Sequence, residues 1–121
     1  MRKTSDILWQ DAQHQVLFDI LDLVRQPDAG RQVLRRLEDY TVYHFALEEK
    51  YMAVLDFPGR IEHMRSHERF RSEIAKLLQS EEEFDEQFGE IIATFLTEWL
   101  TRHVFGVDKE LEEFILNSSV K

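Results

Sequence analysis

The chain has five histidines, and the company they keep sets the first question. His44 and Glu48 stand four residues apart in "YHFALEEKY", His63 and His67 four apart in "HMRSHERF", and His103 precedes Asp108 by five in "HVFGVDKEL". Side chains four apart stack on one face of a helix. HxxxE and HxxxH therefore let two donors from adjacent turns reach one cation, or one cluster of cations.

The faces these residues occupy are apolar. His14 lies in register with Ile7, Leu17, Phe18 and Leu21; His44 and Glu48 with Leu37, Tyr40, Leu47 and Tyr51. His63 and His67 continue into Phe70, Ile74 and Leu77, and His103 follows Ile92, Leu96, Trp99 and Leu100. Any one of these could be a core histidine hydrogen-bonded to a backbone carbonyl, and Glu48 a surface residue. Taken together they are costly to bury, by several kcal/mol, unless they satisfy one another or share a cation. Asp108 is the less obvious member. Five residues from His103 along an unbroken helix is about 140° round, but Gly106 offers a break. Asp108 is then placed to cap a short tail helix with one oxygen turned inward, or is a surface N-cap and nothing more.

The elements that must position these residues are marked by sparse punctuation. Four glycines and two prolines occur in the whole chain. Breakers cluster in "QPDAG" around Pro27, "DFPGR" around Pro58, "QSEEE" around Ser80 and "FGVD" around Gly106. Helices are expected over about 7–26, 29–54, 60–79 and 81–104, with a tail helix over about 108–117. Asp28 is expected to cap the second helix and Ser80 with Glu83 to form a capping box at the fourth, where Glu81 and Glu82 favour the positive end of the dipole. The end "NSSVK" reads as a tail or the start of a linker. Short connections between amphipathic helices favour antiparallel neighbours. The expected fold is all-α: an up-down-up-down antiparallel four-helix bundle with a short C-terminal helix, one domain over 1–121.

Composition narrows the function. The absence of cysteine excludes disulfides, thiolate metal sites, iron–sulfur clusters and covalent c-type haem attachment. A net charge of −9 argues against nucleic acid and anionic membranes as partners. No run approaches the roughly 18 apolar residues of a membrane span, and no apolar signal region follows "MRKTSDILWQ". A cytoplasmic protein is expected.

The order H, HxxxE, HxxxH, HxxxxD spread over four helices resembles the hemerythrins, and most resembles their bacterial single-domain members. The words "WQDAQHQVLFDIL", "HFALEEKYM", "HMRSHERF" and "WLTRHVFGVD" carry the resemblance from about Trp9 to about Leu116. It implies a non-haem centre of two iron ions with an oxo or hydroxo bridge. His63, His67 and His103 would hold one iron and His14 and His44 the other, with Glu48 and Asp108 bridging. The iron with fewer ligands would keep an open position for dioxygen, and Phe45, Trp99, Leu100 and Val104 would line an apolar oxygen pocket. The short N-terminal arm and Val104, where isoleucine is common, are small departures.

Two other metal chemistries fit less well. Ferritin-like sites use Glu-x-x-His, whereas Asp11, Thr41, Arg60, Met64 and Leu100 stand three before the histidines. The HExxH of zinc hydrolases is absent. The resemblance implies reversible dioxygen binding for carriage, storage or delivery, with no catalysis. The alternatives are an oxygen- or redox-sensing domain acting on a protein partner or fused signalling domain, and a peroxide or nitric oxide reductase. Against a reductase, the sequence offers no further inward-facing ionisable group to serve as a general acid.

Overall fold

The structure is a computed structural model that describes residues 3–26, 28–81 and 83–118. Pro27, Glu82 and the end of the tail from Ser119 lie outside the described residues. Four helices follow one another as α1 (Leu8–Val24), α2 (Arg31–Val54), α3 (Arg60–Gln79) and α4 (Glu86–Arg102). The chain then passes without a break through a π-helical turn, His103–Val107, into α5 (Asp108–Leu116). No strand occurs among the described residues.

The pairing of neighbours is antiparallel throughout. The start of α1 meets the end of α2 through Gln10 and Glu48, and the start of α2 meets the end of α3 through Arg31. Along α3 and α4, Ser66 pairs with His103 and Phe70 with Trp99. The end of α1 returns to the start of α4 through Arg25 and Glu90. This is the up-down-up-down bundle that the spacing of breakers implies.

Apolar stripes drive the assembly. Leu17, Leu21, Leu34, Leu37, Phe45, Phe70, Ile74, Leu96 and Leu100 are buried in one cluster, and Ile7, Met52, Leu111 and Ile115 in a second. Each such side chain contributes about 1.5–3 kcal/mol on burial. Along α1, His14 falls between Ile7 of the second cluster and Leu17 of the first; along α2, Glu48 falls between Met52 and Phe45. The polar residues thus form a layer with apolar core on both sides.

Two caps differ from expectation. Asp28 lies outside α2, whose N-cap is Gly30 with no side-chain cap; a backbone turn from Ala29 to Gln26 takes up the linking segment. The fourth helix starts at Glu86 rather than about 81. Its N-cap is Asp85, whose Oδ1 accepts from the Phe88 N–H at 2.8 Å and so satisfies one of the orphan N–H groups of the first turn. Ser80 instead ends α3, and its carbonyl accepts from Arg31 at 2.6 Å, as does that of Leu77 at 3.0 Å. A cation at a helix C-terminus is favourable on dipole grounds. Glu81 therefore sits in a connection, not at a helix end.

Candidate metal centre

The seven residues singled out from the sequence come together in one buried layer. His14 is contributed by α1, His44 and Glu48 by α2, His63 and His67 by α3, His103 by the π-turn and Asp108 by the first residue of α5. All seven are at most 2% exposed, so none can be satisfied by bulk water.

The expected break at Gly106 is absent. The helix widens instead: a π-helical turn takes more residues per turn than an α-helix, so position i+5 returns to the face of position i. His103 Nε2 thereby comes within 3.0 Å of Asp108 Oδ1. Nor does Asp108 cap α5, since no side-chain capping bond forms there; its carboxylate is turned wholly into the site.

The donors fall into two groups that share both carboxylates. Glu48, His63, His67, His103 and Asp108 make one; His14, His44, Glu48 and Asp108 make the other; within each, the donor atoms lie within 4.8 Å of one another. Each carboxylate divides its oxygens between the groups. Glu48 Oε1 is 3.0 Å from His67 Nε2 and 3.5 Å from His63 Nε2, while its Oε2 is 3.5 Å from His44 Nε2 and 3.8 Å from His14 Nε2. Asp108 Oδ1 is 2.9 Å from His63 Nε2, and its Oδ2 is 2.9 Å from His14 Nε2.

These short contacts are mostly not directed hydrogen bonds. The Nε2 atoms of His14, His44, His63 and His103 and both oxygens of Asp108 are buried without a hydrogen-bond partner. Buried polar atoms are nearly always partnered. Lone-pair donors crowded together yet misaligned with one another are what a shared cation would satisfy, and imidazole with carboxylate suits iron. The residues fit a metal pair.

Charge follows the same geometry. Burial works against the charged forms of His14 and His63, but the adjacent Asp108 and Glu48 outweigh it and raise both to about 9. His44 goes the other way, because burial dominates and lowers it to about 4. Burial also opposes ionisation of Glu48 and Asp108, yet the surrounding histidines hold both carboxylates well below their ordinary range. The layer thus carries two fixed negative charges facing histidines, which is the electrostatic setting a cation meets.

A second layer of groups escaped the sequence reading. Nδ1 of His14 meets Thr4 Oγ1 at 2.9 Å, Nδ1 of His44 meets Gln13 Oε1 at 2.7 Å, Nδ1 of His67 meets Glu49 Oε2 at 2.8 Å and Nδ1 of His103 meets Ser66 Oγ at 2.8 Å. Such partners fix the tautomer and aim Nε2 inward. Gln10 Nε2 donates to Glu48 Oε2 at 2.8 Å. Gln10 stands four before His14 on the same face, a spacing that could have drawn it in. Thr4 lies before any helical pattern, and nothing in the sequence signals it.

Phe45 and Trp99 sit against the three-histidine group. The Phe45 ring stacks on His67 with centroids 3.7 Å apart, and Trp99 stacks on His103 at 4.9 Å. Leu100 and Val104 are fully buried in the main core, whereas Trp99 is partly buried. One expectation is corrected: Glu112 is a further buried ionisable group. It is occupied, accepting from Lys109 Nζ at 2.9 Å and from the Asp6 N–H at 3.4 Å.

Fold and site together define an antiparallel helical bundle with a paired histidine–carboxylate cluster that could hold metal ions. The sequence matches the Hemerythrin HHE cation binding domain over residues 6–115, and the chain belongs to the hemerythrin family. It is 33% identical over 98 residues to a myohemerythrin of Riftia pachyptila, covering 81% of this chain and 76% of that one. A bacteriohemerythrin of Stenotrophomonas maltophilia (strain R551-3) is 30% identical over 105 residues, covering 82% and 68%. One from Campylobacter jejuni (serotype O:6) is 28% identical over 117 residues, covering 91% and 86%. No solved structure gives a significant match. The family's metal chemistry is non-haem iron, of the oxygen-binding type. Among the described residues no helix is long and apolar enough to cross a membrane.

Proposed function

We propose that this chain binds dioxygen reversibly at a centre of two iron ions, and that it carries, stores or delivers oxygen rather than catalysing a reaction. The observation that carries the reading is the division of Glu48 and Asp108, each with one oxygen toward the three-histidine group (Glu48 Oε1 to His63 and His67, Asp108 Oδ1 to His63 and His103) and the other toward the two-histidine group (Glu48 Oε2 to His14 and His44, Asp108 Oδ2 to His14). His63, His67 and His103 would hold one ion and His14 and His44 the other, so the second has one protein ligand fewer and room for a small molecule. A reduced iron pair supplies the electrons that make dioxygen a ligand.

The rest is the work of the chain. The two carboxylates offset part of the charge of two cations, and the Nδ1 partners hold the imidazoles in place. Phe45, Leu100 and Val104, all fully buried, keep water out, which favours release of oxygen unchanged over its reduction. The further buried carboxylate, Glu112, is paired with the partly exposed Lys109 and turned to the N-terminal arm, and offers no acid toward a bound molecule.

The test is anaerobic reconstitution with ferrous iron, metal analysis, and then cycles of air and argon watched by visible absorption. A pair of irons per chain and an absorption band that comes with air and goes with argon are expected. A single zinc, or no iron after reconstitution, overturns the site. Iron present with irreversible bleaching in air, or turnover of peroxide or nitric oxide, overturns the carrier role.

A further inference from the structure

Helices α1, α2, α3 and α5 and the π-turn supply all seven donors, yet two of the residues that hold them in place come from outside the helices. Thr4 and Ser5 precede α1 in an arm without regular secondary structure and are 1% and 2% exposed, which is unusual burial for polar residues at the edge of a bundle. Thr4 Oγ1 lies 2.8 Å from Asp11 Oδ1 and 2.9 Å from His14 Nδ1, and the Thr4 N–H donates to the same Asp11 oxygen at 2.7 Å. Ser5 Oγ accepts from the Ile7 N–H at 3.0 Å and donates to Gln10 Oε1 at 2.7 Å. Gln10 Nε2 then donates to Glu48 Oε2 at 2.8 Å.

Proton counting gives both chains a direction. An ionised carboxylate only accepts, and a hydroxyl has one proton. The Thr4 proton therefore goes to Asp11, and Thr4 Oγ1 must accept from Nδ1–H of His14. With its proton on Nδ1, His14 presents a lone pair at Nε2, as metal binding requires. Likewise the Ser5 proton goes to Gln10 Oε1, which orients the amide with its NH2 toward Glu48. Both chains end on the two-histidine group, His14 at one and Glu48 Oε2 at the other.

We propose that Thr4 and Ser5 form a positioning strap for the two-histidine side of the centre: Thr4 sets the tautomer and aim of His14, and Ser5, through Gln10, sets Glu48 Oε2. The inference rests on the reading of the site as a metal pair. It assigns the arm before α1 a part in metal binding at one of the two positions and none at the other, where His67 and His103 are held by Glu49 and Ser66 from within the bundle.

Zinc is a suitable probe because it is diamagnetic and needs no redox control. Metal-free protein is titrated with zinc against a chromophoric chelator, comparing the parent with Thr4→Val, which keeps the shape and loses the hydroxyl, and with Thr4→Ser, which restores it. One of the two zinc equivalents should weaken on the order of 10- to 100-fold in Thr4→Val and return in Thr4→Ser, with the other equivalent unchanged. In the zinc-loaded parent the His14 Nδ1–H should give a slowly exchanging NMR resonance that Thr4→Val loses, a change that general loosening of the fold would not confine to one imidazole. Ser5→Ala should weaken the same equivalent, and it decides the matter if Thr4→Val does not fold. Parent-like binding of both equivalents in Thr4→Val or, failing that variant, in Ser5→Ala overturns the strap alone. A parent that takes up no metal pair overturns the reading of the site, and the strap with it.

Discussion

His103 Nε2 lies 3.0 Å from Asp108 Oδ1 although five residues separate them, because the chain between them is a π-helical turn. The same turn leaves Asp108 Oδ2 free to reach His14 at 2.9 Å, so one side chain addresses both donor groups. Glu48 likewise addresses both groups. Removing either carboxylate should therefore strip both irons, whereas His14→Ala should mainly weaken one. Iron per chain after anaerobic reconstitution and desalting measures this. Equal retention in Glu48→Ala and the parent would show that Glu48 does not bridge.

Much of this was legible in the residues. Spacing of four on apolar faces brought out His44 with Glu48 and His63 with His67, because helix periodicity projects directly onto space. Asp108 could be suspected but not placed, since nothing in the residues announces where a π-turn will form, and α-helical arithmetic points the residue away. The start of α4 was misplaced because Ser80 and Glu83 satisfy the local pattern of a cap, while Arg31, forty-nine residues from Ser80, claims the Ser80 carbonyl for the end of α3. Gln13, Glu49 and Ser66 act across helices and Thr4 from the arm before α1, and such hydrogen bonds leave no periodic trace.

Gly89 lies where α4 packs against the end of α1. A Cβ there would lie 2.9 Å from the Val24 carbonyl oxygen and 3.4 Å from the Phe84 ring. Backbone cannot yield as a flexible side chain can, so Gly89→Ala should lower stability by about 1–3 kcal/mol through overpacking, despite alanine's better helix propensity. Thermal or urea unfolding of the metal-free proteins gives the difference. A gain in stability would mean that the two helices separate easily at this point.

The metal-free protein should be most stable near pH 6.5. His14 and His63, raised from an ordinary 6.5 to about 9 by Asp108 and Glu48 against the effect of burial, contribute stability that is complete below the unfolded value and lost as pH rises to about 9. His44, lowered by burial to about 4, contributes stability that is lost as pH falls from 6.5 to 4. Glu48 and Asp108, both lowered, add a further loss that begins as pH falls through the ordinary carboxylate values, where the unfolded chain takes up protons first, and continues toward their lowered ones. Melting temperatures of metal-free protein across pH 4 to 10 should trace this peak. Bound metal should flatten the alkaline side, since ligating imidazoles are already deprotonated. A metal-free protein equally stable at pH 6.5 and 9.5 would contradict the pairing of His14 and His63 with the carboxylates.

The last prediction concerns why bound oxygen would leave as oxygen. Release unchanged depends on a dry pocket, because water or an anion reaching the iron favours loss of oxygen in reduced form and leaves the metal oxidised. Leu100 lies one turn before His103 and is fully buried in the core. Leu100→Asn keeps a similar size and admits a polar group, at a stability cost on the order of 1–3 kcal/mol. It should speed the decay of the air-exposed, reduced protein to its oxidised absorption spectrum while leaving iron content intact. First-order decay rates of parent and variant are compared at equal pH, low anion concentration and a temperature well below both melting points. A faster rate with full iron supports Leu100 as a barrier to water. An unchanged rate removes Leu100 from that role and shifts it to Val104, which is equally buried next to His103, or to Phe45 beside His67.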